Sequence, residues 1–346
     1  MHEVALIPGD GIGPEIVEAA QRVVEAAGVA IRWREVQAGE AARARTGEPL
    51  PASTLALIRR LGVALKAPLV AGRRTGGVTV ADENGSRRYP SINSALRREL
   101  GLFVNVRPVR GFASLSGRYA AIDVIILREI TEDIYIGEER EPAPGCAEAI
   151  KRITREASER LARFACQYAI ERGRRRITAV HKANVLHLTD GLFLETVRRV
   201  VESRPPLAFS EEAIDAACYL LVKEPGRFEI LACPNQYGDI LSDLAAGLAG
   251  SLGLAPGANL GAEVAVFEPV HGAAPDIAGR GLANPVAMVL SAAMLLEHLG
   301  EQPAAARIRR AVGAVIASGR HLTPDLGGSA TTGELTAALC AAVQAL

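Results

Sequence analysis

The stretch that most constrains this chain is Asn235-Gln236-Tyr237-Gly238-Asp239-Ile240-Leu241-Ser242-Asp243. An apolar run over residues 228–233 ends at Pro234 and reads as a buried strand, and the small-residue run 244–248 reads as a helix. Asp239 and Asp243 are four apart, so on that helix they share one face. Like charges so placed repel, and a cation between them relieves the repulsion. Acids that merely decorate a helix N-terminus satisfy the macrodipole without any ion, so the spacing alone leaves both readings open. The setting, a strand-to-helix turn among apolar and small residues, points to a hard divalent cation with oxygen ligands, Mg²⁺ or Mn²⁺.

At 346 residues the chain has length for about two domains and a large core. Hydrophobic residues make up 49% and aromatics only 4%, so that core is aliphatic and alanine-rich, as in α/β proteins. The zero net charge argues against a nucleic-acid or anionic-membrane surface. No signal peptide is expected at the start, and apolar runs such as 285–296 are too short to span a bilayer. Five scattered cysteines with no C-x-x-C pair read as reduced thiols, which sets the expectation of a cytoplasmic protein. Only Lys66, Lys151, Lys182 and Lys223 are lysines among many arginines. A lysine beside chemistry is therefore informative, because arginine does not release its proton at neutral pH.

Taken in order, residues 4–8 form a strand, Gly9-Asp10-Gly11-Ile12-Gly13 a turn, and residues 14–27 a helix with proline first. The turn is spaced G-x-G-x-G, which is neither the dinucleotide fingerprint nor a P-loop. Strands at 30–36, 62–66, 104–109, 121–127, 177–180 and 264–267 alternate with helical stretches, which predicts a mostly parallel sheet covered on both faces. Residues 67–90 break this rhythm and read as a long loop. Ser91 reads as the N-cap of a helix carrying Asn93 and Arg97, and residues 141–146 as a connection able to form an arm. The Arg172–Arg176 cluster is read as basic residues at a helix C-terminus and not as a nucleic-acid patch.

Four motifs stand together with the stretch that follows Val270: S-x-N-x-x-x-R (Ser91, Asn93, Arg97), R-E-x-T-E-D-x-Y (Arg128 to Tyr135), H-K-A-N (His181 to Asn184), N-x-x-G-D-I-x-S-D (Asn235 to Asp243) and the H-G-A-A-P-D-I loop from His271. In order and along nearly the whole chain, they resemble the β-decarboxylating dehydrogenases of the isocitrate and isopropylmalate type, with the closest likeness to the NAD-dependent isocitrate branch. The resemblance implies that family's α/β fold. A large doubly wound, mostly parallel sheet domain (residues 1–102 and 251–346) would carry the cofactor. A smaller α/β domain (103–250) would carry the metal and catalytic residues and a dimer arm at about 135–152.

It further implies NAD-dependent oxidative decarboxylation of a 2-hydroxy tricarboxylate, most simply isocitrate to 2-oxoglutarate. Asp239 and Asp243 would hold the metal with Asp215 from the neighbouring subunit of a homodimer, and Lys182, also shared across that dimer, would be the base. Tyr135 would be the acid that reprotonates the enol carbon. Arg97, Arg107 and Arg128 would grip substrate carboxylates through forked hydrogen bonds. Ser91 and Asn93 would meet the third carboxylate, a poor match for an isopropyl group, since an unpaired buried amide costs about 1–3 kcal/mol. The implied NAD contacts are His271, Gly272, Ala274, Asp276, Ile277, Asn284 and Asn184, with Asp276 accepting from the ribose hydroxyls and repelling a 2′-phosphate.

The sequence departs from that pattern at Ala67 and Ala71, where relatives carry glycine and a nicotinamide-side threonine, and at Ile130, where they carry asparagine. Residues 73–89 are longer than the usual link and hold Arg73, Arg74, Arg87 and Arg88. They form either a solvated loop or a cover over the substrate's distal group. The second case favours a related malate such as homoisocitrate or 3-phosphonomethylmalate. A rival of another class is a non-catalytic regulatory subunit, which the retained Lys182, Tyr135 and three aspartates disfavour.

Overall fold

The computed structural model describes residues 1–70, 77–82 and 85–346. Among these, ten strands form one sheet in the spatial order Ala208–Ala213, Arg176–His181, Ile230–Cys233, Asp123–Glu129, Leu102–Arg110, Pro256–Gly261, Ala265–Pro269, Val63–Lys66, His2–Ile7 and Ile31–Glu35. Pairing is parallel toward both edges and antiparallel in the centre, where Leu102–Arg110 runs against both Asp123–Glu129 and Pro256–Gly261. The mostly parallel expectation holds, with an antiparallel seam that the alternation of helices and strands did not reveal.

Strand alternation sorts the two faces. Val104, Val106, Leu127, Ala258, Phe267 and Leu65 pack into one continuous core with the helices Gly13–Ala26, Val286–His298, Gln302–Ser318 and Arg155–Glu171. The opposite face has two separate apolar clusters. One lies beneath the helices Ala52–Leu61 and Ile92–Glu99, the other beneath Ile214–Lys223 and Asn235–Ala249. Between them the central strands present polar side chains, and that gap is where the candidate site lies.

Residues 67–90, expected as a loop, contain an antiparallel hairpin, Val78–Asp82 with Gly85–Tyr89. Val78, Val80 and Tyr89 are buried in the same cluster as Leu69, Leu96 and Ile130, and the Tyr89 hydroxyl donates to Glu99. The apolar side chains of this hairpin pack against the body, while Gly85, Ser86, Arg87 and Arg88 are exposed. Arg73 and Arg74 lie outside the described residues. The strands Ala208–Ala213 and Pro256–Gly261 are further elements beyond the sequence reading. The expected arm is a hairpin, Glu139–Ala143 with Cys146–Ala149, whose residues are all exposed. Arg172, Arg174 and Arg176 pair with Glu297, Asp123 and Glu229 respectively.

Candidate active site

One row of side chains crosses the centre of the sheet. Asn105 lies opposite Arg128 on one side and Asn259 on the other, and Glu268 stands two residues from Asn259's partner, Val266. Period-two alternation therefore places Arg128, Asn105, Arg107, Asn259, Glu268 and Lys66 on the same face. From Asn105 to Lys66 the row is linked: Asn105 Nδ2 donates to Asn259 Oδ1 (3.1 Å), Asn259 Nδ2 to Glu268 Oε1 (2.6 Å), and Lys66 Nζ lies 2.5 Å from Glu268 Oε2. Arg107 Nε donates to Asn105 Oδ1. Above this floor the helix Ile92–Glu99, capped by the Ser91 hydroxyl accepting from Ser94 N, brings Asn93 and Arg97 to the rim. Ser91, Asn93, Arg97, Arg107, Arg128, Tyr135 and Asp239 line one cavity of about 300 Å³.

The helix Asn235–Ala249 enters over Arg128 so closely that Gly238 is required, because a Cβ there would lie 2.7 Å from Arg128 Cβ. Arg128 Nε donates to Asn235 Oδ1 (2.8 Å), and its Nη1 pairs with Asp239. Arg107 Nη1 reaches Ser242 Oγ (2.5 Å) and lies 3.1 Å from Asp239 and 3.5 Å from Asp243. The Tyr135 hydroxyl donates to Asp239 Oδ2 at 2.6 Å. Asp133, buried and in the left-handed region at φ 74°, receives Ile134 N and Gln236 N. It thereby ties the turn carrying Tyr135 to the start of the Asp239 helix. The acids Glu129, Glu132 and Asp133 of the second motif are thus structural: Glu129 accepts from Thr131, and Glu132 from Thr154 N and Oγ1.

Charge follows from this packing. Burial pushes the Arg128 guanidinium down to about 9, reinforced by Arg107 and Arg97, yet it stays cationic at neutral pH. Burial alone would raise the Asp239 carboxyl, but Arg128 and Arg107 outweigh it and hold Asp239 below the usual range. For Asp243 burial wins, Arg107 opposing and the Asp239 charge adding, and its pKa is raised. Burial and the hydrogen bond to Asp239 push the Tyr135 phenol up to about 12, so it is a protonated donor at neutral pH. Against its own burial, Glu268 is held at about 2 by Lys66 and Arg97.

The glycine turn near the N-terminus serves the same region as a docking knot. Asp10 N donates to Pro68 O (2.8 Å), the Asp10 carboxylate accepts from Val70 N and Glu40 N, and Ile12 N donates to Ala273 O (2.9 Å). Gly11, at φ +59°, is pressed against the Ala273 carbonyl so closely that a Cβ would collide with it. The turn fixes the 67–70 segment relative to the 271–277 loop. In that loop His271 and Gly272 line the cavity, Ala274 has φ 37°, Asp276 is exposed and Ile277 N donates to Ala274 O (3.2 Å). Burial lowers the His271 pKa, favouring the neutral ring, and its Nε2 is buried without a hydrogen-bond partner among the described residues. Asn284 is buried, with Nδ2 donating to Asp325 Oδ2 (3.0 Å) and Oδ1 accepting from Val286 N (3.0 Å).

The lining of this cavity does not include Lys182, Asp215, Asp243, Ala274, Asp276, Ile277, Asn284 or Asn184. Lys182 Nζ donates instead to Asp215 Oδ1 at 2.5 Å, and that bond lowers the Asp215 pKa. Lys182 is held by its own backbone N–H, which donates to Asp190 Oδ2 (2.7 Å), and Asn184 is exposed in the same loop. Val185 and Leu188, which follow Lys182 in the chain, and Tyr219, four residues beyond Asp215 on its helix, are exposed apolar side chains. Among the described residues no group of three His, Cys, Asp or Glu side chains is placed to hold a metal ion. Lys66, Glu268, Asn105 and Asn259 were missed by the sequence reading. Their signal was present as polar residues at alternate positions in apolar strands, and as one of four lysines.

Fold and cavity together define an α/β dehydrogenase, and the chain belongs to the isocitrate/isopropylmalate dehydrogenase family, whose model matches residues 3–339. It is 46% identical to isocitrate dehydrogenase [NAD] catalytic subunit 5, mitochondrial, of Arabidopsis thaliana, over 97% of this chain and 87% of that protein. It is 44% identical to 3-isopropylmalate dehydrogenase of Archaeoglobus fulgidus, over 96% and 97%. The crystal structure of isocitrate dehydrogenase from Methylococcus capsulatus superposes with a TM-score of 0.92 at 44% identity, covering 99% of this chain and 100% of that one.

Proposed function

We propose that this chain catalyses the NAD-dependent oxidative decarboxylation of isocitrate, with an Mg²⁺ or Mn²⁺ ion and as a homodimer with shared sites. The observation that carries the reading is the single cavity in which Arg97, Arg107 and Arg128 converge with Tyr135 and Asp239 while Ser91 and Asn93 line it from the capping helix. Three guanidiniums suit a substrate with several carboxylates. Two polar side chains at Ser91 and Asn93 suit a third carboxylate better than an alkyl group, which separates isocitrate from 3-isopropylmalate. The exposed Asp276 suits the ribose hydroxyls of NAD.

The donor set fits a hard cation in part. Asp239 and Asp243 present carboxylate oxygens one helical turn apart, and the Arg107 and Arg128 charges now balance Asp239. Asp215 of a second copy would complete the set. When bound, the ion would lower the hydroxyl pKa and stabilise charge on the substrate oxygen. The arginines orient the substrate. Lys182 of the second copy receives the hydroxyl proton, and Tyr135, kept protonated by its raised pKa, donates to the carbon left by CO₂. His271, Gly272, Ala274, Ile277, Asn284 and Asn184 are the further proposed cofactor contacts. The exposed apolar residues around Lys182, and the arm, are the proposed dimer surface. The central seam is the proposed boundary between a cofactor half (1–102, 251–346) and a catalytic half (103–250). Five free cysteines support a reducing compartment, the cytoplasm. No helix among the described residues is long and apolar enough to cross a membrane.

A substrate panel with NAD and NADP tests this. Isocitrate with NAD is expected to exceed homoisocitrate, 3-phosphonomethylmalate and 3-isopropylmalate by at least about tenfold in kcat/KM, a difference of about 1.4 kcal/mol in transition-state binding. Preference for one of the other malates would replace the substrate. Failure of the purified chain to reduce NAD with any of them would make it a regulatory subunit.

A further inference from the structure

Behind the central seam, away from the cavity just described, lies a second one of about 810 Å³. Its walls come from the far end of strand Leu102–Arg110, from Pro256 on the strand beside it, and from the helices Val286–His298 and Gln302–Ser318. The floor is apolar: Val109, Leu254, Met294 and Val312 are all buried. The rim is cationic. Arg174 pairs with Asp123, but the side chains of Arg110 and Arg310 are exposed and make no hydrogen bond, ion pair or ring contact among the described residues. Arg172 and Arg309, also at the rim, share one acid, Glu297, so positive charge is in excess there.

A further observation concerns Gly313, which lines the cavity from the interior of the Gln302–Ser318 helix. Glycine there costs helix stability relative to alanine. A Cβ at 313 would have no heavy atom within 4 Å, and no positive φ calls for glycine. No described residue fills the room this residue leaves.

We propose that this seam cavity is a second binding site, for an organic anion with a flat or alicyclic apolar body and one or two acidic groups. The body would lie on the aliphatic floor and against Gly313, and the acidic group would meet Arg110 and Arg310. Because Arg110 ends the strand that carries Asn105 and Arg107, an occupant there contacts an element of the substrate cavity directly. The site is independent of the reaction assigned above.

The probe is 8-anilinonaphthalene-1-sulfonate, whose fluorescence is titrated on the full-length protein with NAD held saturating. Arg110→Glu/Arg310→Glu reverses the rim charge, and Gly313→Trp fills the cavity from a helical position that a larger side chain suits. Saturable binding that weakens at least about tenfold in both variants, with isocitrate-dependent NAD reduction retained, supports the site. Binding unchanged in either variant, or absent in the wild type, overturns it. Circular dichroism melting curves identify a variant that has not folded, in which case the milder Gly313→Leu takes the place of the tryptophan.

Discussion

The arginine cage depends on a residue that touches no substrate. Gly238 lets the Asn235–Ala249 helix ride over Arg128, and an added methyl would lie 2.7 and 2.8 Å from Arg128 Cβ and Cγ. Gly238→Ala gains about 1 kcal/mol of helix propensity but meets overpacking of about 1–3 kcal/mol. The crowding wins, because Arg128 is fixed by Asn235 and Asp239 and has nowhere to move. A lower urea midpoint and a raised KM for the tricarboxylate are expected, and unchanged values of both would contradict this account of the glycine. Glu268 gives a pH-dependent case. Its folded pKa of about 2 lies below the ordinary 4.5, so its pairing with Lys66 stabilises fully above about pH 4.5 and is lost as pH falls toward 2. Glu268→Gln leaves Lys66 buried without its partner charge, a loss of about 3–5 kcal/mol at neutral pH. The stability gap between the two proteins, followed by thermal melts, is expected to shrink on acidification. A gap that stays constant between pH 6 and about pH 3 would rule the pairing out as its source.

Among the elements, the glycine turn shows how a motif is legible in kind and opaque in use. Its spacing excludes a dinucleotide fingerprint, and the structure gives it another task, holding the 67–70 and 271–277 segments together through Asp10 and Ile12. Gly11→Ala pushes on the Ala273 carbonyl at φ +59°, so the KM for NAD is expected to rise about tenfold or more while the KM for isocitrate changes little. Equal changes in both constants would deny the turn a cofactor-side role. The motif-bearing elements were readable because their function rests on short, ordered runs: the Ser91 cap, the Asn235 helix, the strand before His181. The central strand Pro256–Gly261 was not readable, since P-G-A-N-L-G looks like a turn and becomes a strand only through its two neighbours. The hairpin at 78–89 was hidden likewise. Its charged G-S-R-R-Y strand has four exposed residues in a row before Tyr89, and only burial of Tyr89, Val78 and Val80 in the tertiary core reveals the pairing.

At the scale of the molecule, one chain places its proposed acid and the proposed metal ligand Asp239 in the cavity, with Asp243 one helical turn along, and its proposed base elsewhere. Lys182 and Asp215 pair with each other beside exposed Val185, Leu188 and Tyr219. If each site takes Lys182 from the second copy, two inactive chains can repair one another. Tyr135→Phe and Lys182→Met each disable both sites of their own homodimer. In a mixed dimer, one site receives both lesions and the other receives neither. Random pairing of equal amounts makes about half of the dimers mixed, with about half of their sites intact, so about a quarter of wild-type activity returns on co-refolding. Were all groups of a site drawn from one chain, every site in every mixture would carry a lesion and no activity would return. The measurement is the initial rate of NAD reduction with isocitrate and Mn²⁺, before and after the two variants are unfolded and refolded together. Activity that remains at the level of the separate variants, in a mixture shown by mass to contain hybrids, would confine the site to a single chain and leave the pairing of Lys182 with Asp215 as a surface ion pair.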